Sequence, residues 1–368
     1  MTTHVICLDG TDQTKNQPCP TNIAHIFDTI GSTSQAADFG SFETRSATGQ
    51  ATGKYLPGVG SSGSNTLRVL GNLFGDGIAE GIIRGYTYLS RVWKHGDQIV
   101  LTGFSRGATA ARALGGMIVK RGLLNPARYN PADKEGAYLR AVAAWYLYRH
   151  GQDDLANQAR LELFRVVAGQ VPQLADADFT GALPIAAIGV FDTVSSLGLP
   201  RLDWSGKAVF DFSICDTDLN PNVARGFHAI AADETRDLFT PTFWAGRADV
   251  VQHVFPGAHS DVGGGYAERG LSDCALDWML ANLASVANVF DRAHLGGTFA
   301  PHPLAVAHDD ALKFPFILTP RRGRAIPKEA SPSTALQHRW NQLTDILPGT
   351  QPDKYAAKAR YADGSSLI

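Results

Sequence analysis

The feature that most constrains this chain is the pentapeptide Gly-Phe-Ser-Arg-Gly at residues 103–107, which joins an apolar run at 98–102 to an alanine-rich segment. This pattern predicts a strand that turns sharply into a helix, with a serine at the turn. Such a turn crowds the positions two before and two after the serine, so both must be glycine. We therefore expect Gly103 and Gly107 to form a strained elbow that presents the Ser105 hydroxyl at a sheet edge.

Further apolar, β-branched runs also end abruptly in small or polar residues, at 4–8, 185–191 and 250–255. Continuous apolar runs of this length suit strands that are buried on both faces, as in a parallel sheet. Between them fall segments with helical spacing of apolar residues, at 22–30, 77–93 and 105–119. The alternation predicts an α/β fold, a three-layer α/β-hydrolase-like sandwich with a mostly parallel sheet and a helical insertion.

The domain prediction rests on length and composition. A chain of 368 residues that is 44% hydrophobic can bury one large core. We assign residues 1–300 to a catalytic domain with a helical insertion at about 127–177, which contains predicted helices at 137–148 and 155–167. The insertion either caps the active site or is an ordinary helical excursion. The segment 301–368, rich in proline and arginine, is expected to pack on the core as a C-terminal extension.

An oxyanion site is expected beside Ser105. The turn aims the N-terminus of the following helix, with the backbone N–H of Arg106, at the place where an oxyanion would form. The first predicted strand ends in Asp-Gly-Thr-Asp at residues 9–12. The amide of either Gly10 or Thr11 is the expected second donor. The alternative interpretation is a glycine-rich turn in which the serine is incidental.

A serine hydroxyl needs an oriented histidine to take its proton, and that histidine needs an acid. Asp192 follows the strand predicted at 185–191, in the chain order serine, acid, histidine. A carboxylate at the end of a strand is well placed to hold an imidazolium. The alternative role for Asp192 is to cap the turn that follows it.

Of the eleven histidines, His259 is the best candidate for the base. It follows the strand predicted at 250–255, and the glycines on either side predict a flexible loop that can reach the serine. His228 lies in a helix-like apolar run and is expected to be a core histidine with its hydrogen bonds satisfied. His253 lies inside a predicted strand, where it should pack.

Three carboxylates, Asp9, Asp12 and Asp261, offer an alternative metal site, but neither they nor a histidine pair has tight local spacing. We therefore predict no metal and no cofactor.

The formal net charge of −2 argues against a nucleic-acid partner. The four cysteines are scattered, as in a reduced compartment. No signal peptide is visible, so the expected location is the cytoplasm, or the outside after export without a cleaved signal peptide.

Six segments together resemble the α/β-hydrolase catalytic domain of bacterial type VI secretion phospholipase effectors, a family of largely uncharacterised members. They occur in the family's order, at residues 8–11, 55–60, 103–108, 191–198, 228–234 and 255–266. The resemblance implies a lipase fold and a Ser–Asp–His triad formed by Ser105, Asp192 and His259. It also implies phospholipase A activity on membrane glycerophospholipids of rival bacteria, contact with the membrane surface, and an immunity protein as partner. No strongly amphipathic or apolar appendage follows residue 300, unlike in the larger effectors.

The sequence thus predicts a serine carboxylic-ester hydrolase that is lipolytic and phospholipase A-like. Two alternatives stay open: an esterase or thioesterase for a soluble acyl substrate, and a binding protein on a degenerate hydrolase fold. Aromatic residues of the insertion, Trp145, Tyr146 and Tyr148, and the loop at 197–204 are expected to line the acyl site. The same aromatics would otherwise simply pack the insertion onto the core.

Overall fold

The computed structural model describes residues 1–58, 77–150, 171–194, 201–202, 208–209, 218–313, 317, 320–344 and 353–368. Within these ranges nine strands form one sheet. In chain order they are β1 (Thr3–Leu8), β2 (Ser34–Ala36), β3 (Phe42–Arg45), β4 (Ala51–Leu56), β5 (Gln98–Phe104), β6 (Ala187–Phe191), β7 (Gly226–Ala231), β8 (Val250–Phe255) and β9 (Ala330–Pro332).

The spatial order of the strands is β9-β8-β7-β6-β5-β1-β4-β3-β2. Every neighbouring pair from β9 to β4 is parallel, whereas β3 is antiparallel to both β4 and β2. The sheet is therefore mostly parallel, as the sequence predicts. Parallel pairing brings the carboxyl ends of β1, β5, β6, β7 and β8 to the same edge, where ligands bind in folds of this kind.

Helices cover both faces of the sheet. They are α1 (Asn22–Asp28), α2 (Gly77–Val92), α3 (Arg106–Arg121), α4 (Lys134–His150), α5 (His259–Gly263), α6 (Gly270–Val286) and α7 (Thr334–Arg339). Short 3-10 turns lie at Asp38–Gly40, Asp176–Asp178, Asp237–Phe239, Arg292–Leu295 and Asp310–Leu312, and three small strand pairs join Arg201–Leu202 to Ala208–Val209, Ala325–Ile326 to Arg360–Tyr361, and Leu343–Thr344 to Asp353–Lys354.

Alternation along the strands produces two cores, one on each face of the sheet. In β1, Ile6 and Leu8 pack with α2, α3 and α4, while Val5 and Cys7 pack with α1 and α6. All six residues of β1 are buried, which explains why the strand reads as an unbroken apolar run. The result is a three-layer α/β sandwich.

The C-terminal segment contributes to this sandwich. β9 pairs in parallel with β8 at the sheet edge. A third apolar cluster joins Ile230 of β7 and Val254 of β8 to Leu336 and Tyr355. The division into a 1–300 domain and an extension stays a prediction, but residues after 320 supply both a strand of the sheet and part of the core.

Several sequence predictions need correction. The run around His228, interpreted as helical, is the strand β7, because a short apolar run does not distinguish a buried strand from a helix. Strands β2, β3, β4 and β9 and the helix α6 were not predicted at all. The predicted helix at 155–167 and the proposed wall at 197–204 lie outside the described residues, apart from 201–202.

Candidate active site

Ser105 lies between the last residue of β5 and the first residue of α3. Its backbone has φ 58° and ψ −123°, which non-glycine residues rarely adopt. The Ser105 N–H donates to the carbonyl oxygen of Phe191 at 3.1 Å, which ties the turn to the end of the neighbouring strand β6. The serine is thus held in a strained turn at the carboxyl edge of the sheet.

The two glycines of the turn are required by close backbone approach. A Cβ at Gly103 would lie 2.3 Å from the carbonyl oxygen of Gly107. A Cβ at Gly107 would lie 2.2 Å from the carbonyl oxygen of Leu8 and 2.4 Å from that of Asp9. The helix α3 therefore starts against the end of β1, at a distance that only glycine permits.

Asp192 and His259 lie side by side at the same edge. Asp192 follows β6, and His259 begins α5 shortly after β8. The Nδ1 of His259 lies 2.5 Å from the Oδ2 of Asp192, and both residues are buried. A carboxylate accepts, so Nδ1 carries the proton and Nε2 is left as the basic nitrogen of the ring.

Aromatic rings fix the imidazole of His259. The Phe104 ring, one residue before Ser105, lies 4.6 Å from it between centroids, and the Phe239 ring makes an edge contact at 4.9 Å. A Cβ at Gly263 would lie 2.0 Å from the Phe104 ring. The prediction of a flexible glycine loop is therefore wrong: the residues after His259 form a helical turn, and Gly263 permits close packing.

An arginine that the sequence analysis missed clamps Asp192. The two terminal nitrogens of Arg324 donate to Oδ1 at 2.5 Å and to Oδ2 at 2.8 Å. The backbone N–H of Ala231 adds a bond to Oδ1 at 3.0 Å. With the bond from His259, the four acceptor positions of the carboxylate are occupied. The motif Arg-Arg-Gly-Arg at 321–324 carries no local signal that links one of its arginines to Asp192.

The charge of Asp192 follows from these contacts. Burial alone would raise the pKa of its carboxyl, but the Arg324 guanidinium and the His259 imidazole outweigh burial and hold the pKa well below its usual range. Asp192 is therefore an ionised carboxylate at neutral pH.

Glu234 supports the histidine from the backbone side. Its carboxylate accepts a bond from the backbone N–H of His259 at 3.3 Å and bonds Arg236 through two nitrogens. Arg236 in turn lies over the Phe239 ring at 3.7 Å. No sequence pattern indicates this role for Glu234, although the residue lies within one of the six family-like segments.

His228 is a buried structural residue. Its Nε2 accepts the backbone N–H of Thr193 at 3.2 Å, and its Nδ1 lies 3.3 Å from the Oε1 of Gln252. Burial lowers the pKa of this imidazole to about 3, so it stays neutral. His253 of β8 stacks on Trp278 of α6, with 5.1 Å between the ring centroids.

Asp9 organises the loop at 9–12. It accepts hydrogen bonds from Tyr55 and Thr21 on Oδ2 and from the N–H of Gly10 on Oδ1 at 2.7 Å. Burial raises the pKa of its carboxyl to about 6. A Cβ at Gly10 would lie 3.4 Å from the Cβ of Ser105, so this loop lies directly beside the serine.

Asp261 is likewise held by protein donors. Its carboxylate accepts from the ring of His308 at 2.7 Å and from the backbone of His308 and Ala258. Asp9 and Asp261 thus have different partners. Across the described residues, no group of three or more His, Cys, Asp or Glu side chains is arranged to share a metal ion.

The insertion packs on the core. Trp145 and Tyr146 of α4 are buried in the cluster that contains α2 and α3, and Tyr148 packs against it. These aromatics hold the helix in place, so the expectation that they line the acyl site loses its support.

A family model described as "T6SS, Phospholipase effector Tle1-like, catalytic domain" matches residues 2–282. That match covers most of the chain and includes Ser105, Asp192 and His259. The chain belongs to the Tle1-like phospholipase effector family.

The chain is also similar to one curated protein and to two solved structures. "Uncharacterized protein YEL023C" of Saccharomyces cerevisiae is 26% identical over 250 residues, 64% of this chain and 31% of its own. A crystal structure of an uncharacterized protein from Pseudomonas aeruginosa has a TM-score of 0.42 and 17% identity, covering 82% of this chain and 49% of that one. The Tle1 effector bound to the VgrG spike of the type 6 secretion system has a TM-score of 0.40 and 16% identity, covering 73% and 52%.

The chain therefore spans about a third of the yeast protein and about half of each solved chain. Among the described residues, no helix combines the length and apolar character needed to span a bilayer. Arg324 lies beyond the residues that the Tle1-like model matches.

Proposed function

We propose that this chain is a serine carboxylic-ester hydrolase of phospholipase A type, in which Ser105, Asp192 and His259 form the triad. The observation that carries the proposal is the 2.5 Å His259–Asp192 pair, whose imidazole packs on the ring that precedes a strained serine. A positive φ at a serine, two obligatory glycines and an oriented imidazole at one sheet edge are the parts that nucleophilic catalysis needs.

In this mechanism His259 Nε2 takes the proton from the Ser105 hydroxyl as its oxygen attacks the ester carbonyl. The proton then passes to the leaving alcohol, and an acyl-enzyme remains on Ser105. Water, deprotonated by the same nitrogen, hydrolyses the acyl-enzyme and restores the serine. Asp192 keeps Nδ1 protonated and stabilises the imidazolium that forms in both steps.

The oxyanion would be held by backbone amides at the elbow. The first donor is the N–H of Arg106, at the N-terminus of the sixteen-residue helix α3. For the second donor we choose Thr11 over Gly10, because the Gly10 N–H already donates to Asp9. The Oγ1 of Thr11, one residue after Gly10, is buried and has no hydrogen-bond partner among the described residues.

Three exposed apolar side chains, one of them next to Phe239 in the chain, support a lipid substrate. Leu238 is 47% exposed and precedes Phe239, whose ring contacts the imidazole. Leu312 and Ile317 are 44% and 50% exposed, on a segment joined to the first by the bond from Asp237 N–H to the Pro320 carbonyl. We propose that these side chains meet an acyl chain or the membrane, as contiguous apolar surface patches do.

The remaining features of the proposal follow the family. We propose catalysis without a metal or cofactor, since the triad supplies the activated nucleophile. The enzyme would contact the membrane surface, and a producing cell would need an immunity protein against it. It would be made in the cytoplasm and, as an effector, exported from the producing cell.

The proposal is tested by reacting the chain with a fluorophosphonate probe and by following p-nitrophenyl esters of increasing chain length. We expect the probe to label Ser105 in the wild type, and Ser105→Ala to lose ester hydrolysis on the order of 10⁴-fold while remaining folded. Retention of wild-type turnover by Ser105→Ala would refute the nucleophile assignment.

The substrate class is tested on mixed-acyl phosphatidylethanolamine, with products read by mass spectrometry. We expect lysophospholipid to form, and medium- to long-chain esters to react faster than acetyl esters. Strict preference for acetyl esters without lysophospholipid would favour an esterase for soluble substrates. A wild type that neither labels nor hydrolyses would favour a binding protein.

A further inference from the structure

The C-terminal segment reaches the candidate site at three carboxylates. Arg324 binds Asp192, His308 binds Asp261 next to His259, and Tyr355 donates to Asp233 at 2.6 Å. Asp192 and Asp233 follow the ends of β6 and β7, and Asp261 lies in the short helix α5 that follows β8. Residues beyond the family match therefore help to build the edge at which Ser105 is presented.

Among these contacts, that of Arg324 is the one that touches the proposed triad. Arg324 is buried, with 6% of the residue exposed, and its guanidinium spans both oxygens of Asp192. The same two nitrogens donate to the carbonyl oxygens of Ala231 and Phe239. The fork is thus fixed between the end of β7 and the residue whose ring packs on His259, so its geometry is set by the fold.

We propose that Arg324 is a positioning residue for ester hydrolysis, which orients the Asp192 carboxylate and offsets part of its negative charge beside the imidazole of His259. The proposal rests on the proposed function. An unclamped carboxylate would rotate and would stabilise the imidazolium at full strength. A planar guanidinium with two parallel bonds restrains the rotation and reduces the field at the ring.

Other charged and titratable groups around the pair are balanced. Glu234 is bound to Arg236, and Asp261 is bound to His308. His228 faces Asp192 but stays neutral, because burial lowers its pKa, and Arg112 lies behind it. The guanidinium of Arg324 is therefore the permanent positive charge that directly contacts the Asp192 carboxylate.

The test compares kcat, KM and the pH profile of kcat/KM in Arg324→Gln, Arg324→Lys and the wild type, with a p-nitrophenyl ester. In Arg324→Gln we expect kcat to fall about 10- to 100-fold, as when an outer partner of a catalytic group is removed, with little change in KM. The acid limb of the profile should move to higher pH by roughly one unit, because His259 then faces an uncompensated carboxylate.

Arg324→Lys separates charge from orientation. It keeps the cation but loses the fork, so we expect the acid limb to stay at its wild-type position while kcat falls. Wild-type kcat in folded Arg324→Lys would refute the orienting role, and this holds even if Arg324→Gln fails to fold.

Arg339→Gln is the matched control. Arg339 is a fully buried arginine of the same segment that binds the carbonyl oxygens of Pro303 and Ala305. We expect it to lower the unfolding temperature without moving the acid limb. If the acid limb of Arg324→Gln stays at its wild-type pH, and its kcat falls no more than that of Arg339→Gln, then Arg324 has only a structural role. A wild type without labelling or turnover would overturn the triad itself.

Discussion

Gly107→Ala is the perturbation that probes the elbow most directly. The added Cβ would lie 2.2 Å from the carbonyl oxygen of Leu8 and 2.4 Å from that of Asp9. Ordinary contact begins at 3.4 Å, so α3 and the end of β1 must separate by about 1 Å. The atoms that obstruct the methyl group belong to the backbone of a buried strand, which cannot move aside as a flexible side chain could.

The magnitude follows from that rigidity. Overpacking a close-packed interior costs roughly 1–3 kcal/mol, and a clash between backbones belongs at the upper end, so we expect a loss of about 3 kcal/mol in unfolding free energy. The same separation moves Ser105 and the N–H of Arg106 away from the loop at 9–12. A displacement of about 1 Å at a catalytic group costs on the order of 10²-fold in rate.

The assay measures the unfolding temperature and the rate of p-nitrophenyl ester hydrolysis side by side. Gly297→Ala is the control, because a Cβ there meets nothing within 4 Å. We expect the control to stay within about 0.5 kcal/mol of the wild type and to keep its activity. If Gly107→Ala matched the control in both measurements, the close approach of α3 to β1 would not be what requires glycine.

Two further predictions concern the histidines and metals. His259→Ala should lose activity as fully as Ser105→Ala, since triad members act as a unit, whereas His228→Ala should mainly lower stability; a folded, inactive His228→Ala beside an active His259→Ala would reverse the choice of base. Activity should survive exhaustive EDTA treatment; a complete loss that calcium restores would instead favour a metal site at Asp9, Asp12 and Asp261.

Local chemistry made much of the fold and the site predictable. The elbow is recognisable in the sequence because a strand, a strained turn and a helix follow one another within a few residues. Few residue types fit a turn with that backbone conformation. Central strands such as β1 are buried on both faces, so they read as apolar runs. Asp192 follows such a run directly and His259 follows one after three residues, so the sequence places both at the edge where the carboxyl ends of parallel strands meet.

Weaker local signals gave weaker predictions. The short apolar run containing His228 was interpreted as a helix, because length and periodicity do not separate the two at six residues. The choice between Gly10 and Thr11 depended on one hydrogen bond from Gly10 to Asp9 that no pattern reveals. The glycines after His259 suggested flexibility, whereas packing on Phe104 accounts for Gly263.

By itself, the sequence determined the elements that neighbouring residues specify: the strained turn at Ser105, the buried strands and the residues that follow them. Only the tertiary structure decided which distant side chains complete the site. Arg324 lies 132 residues from Asp192 in the sequence, in a segment without strong periodicity. The pairing of β9 with β8, and the apolar cluster that joins the C-terminal segment to β7 and β8, bring Arg324 to Asp192. A bidentate ion pair depends on where two chain segments meet, and that is set by the packing of the whole sandwich.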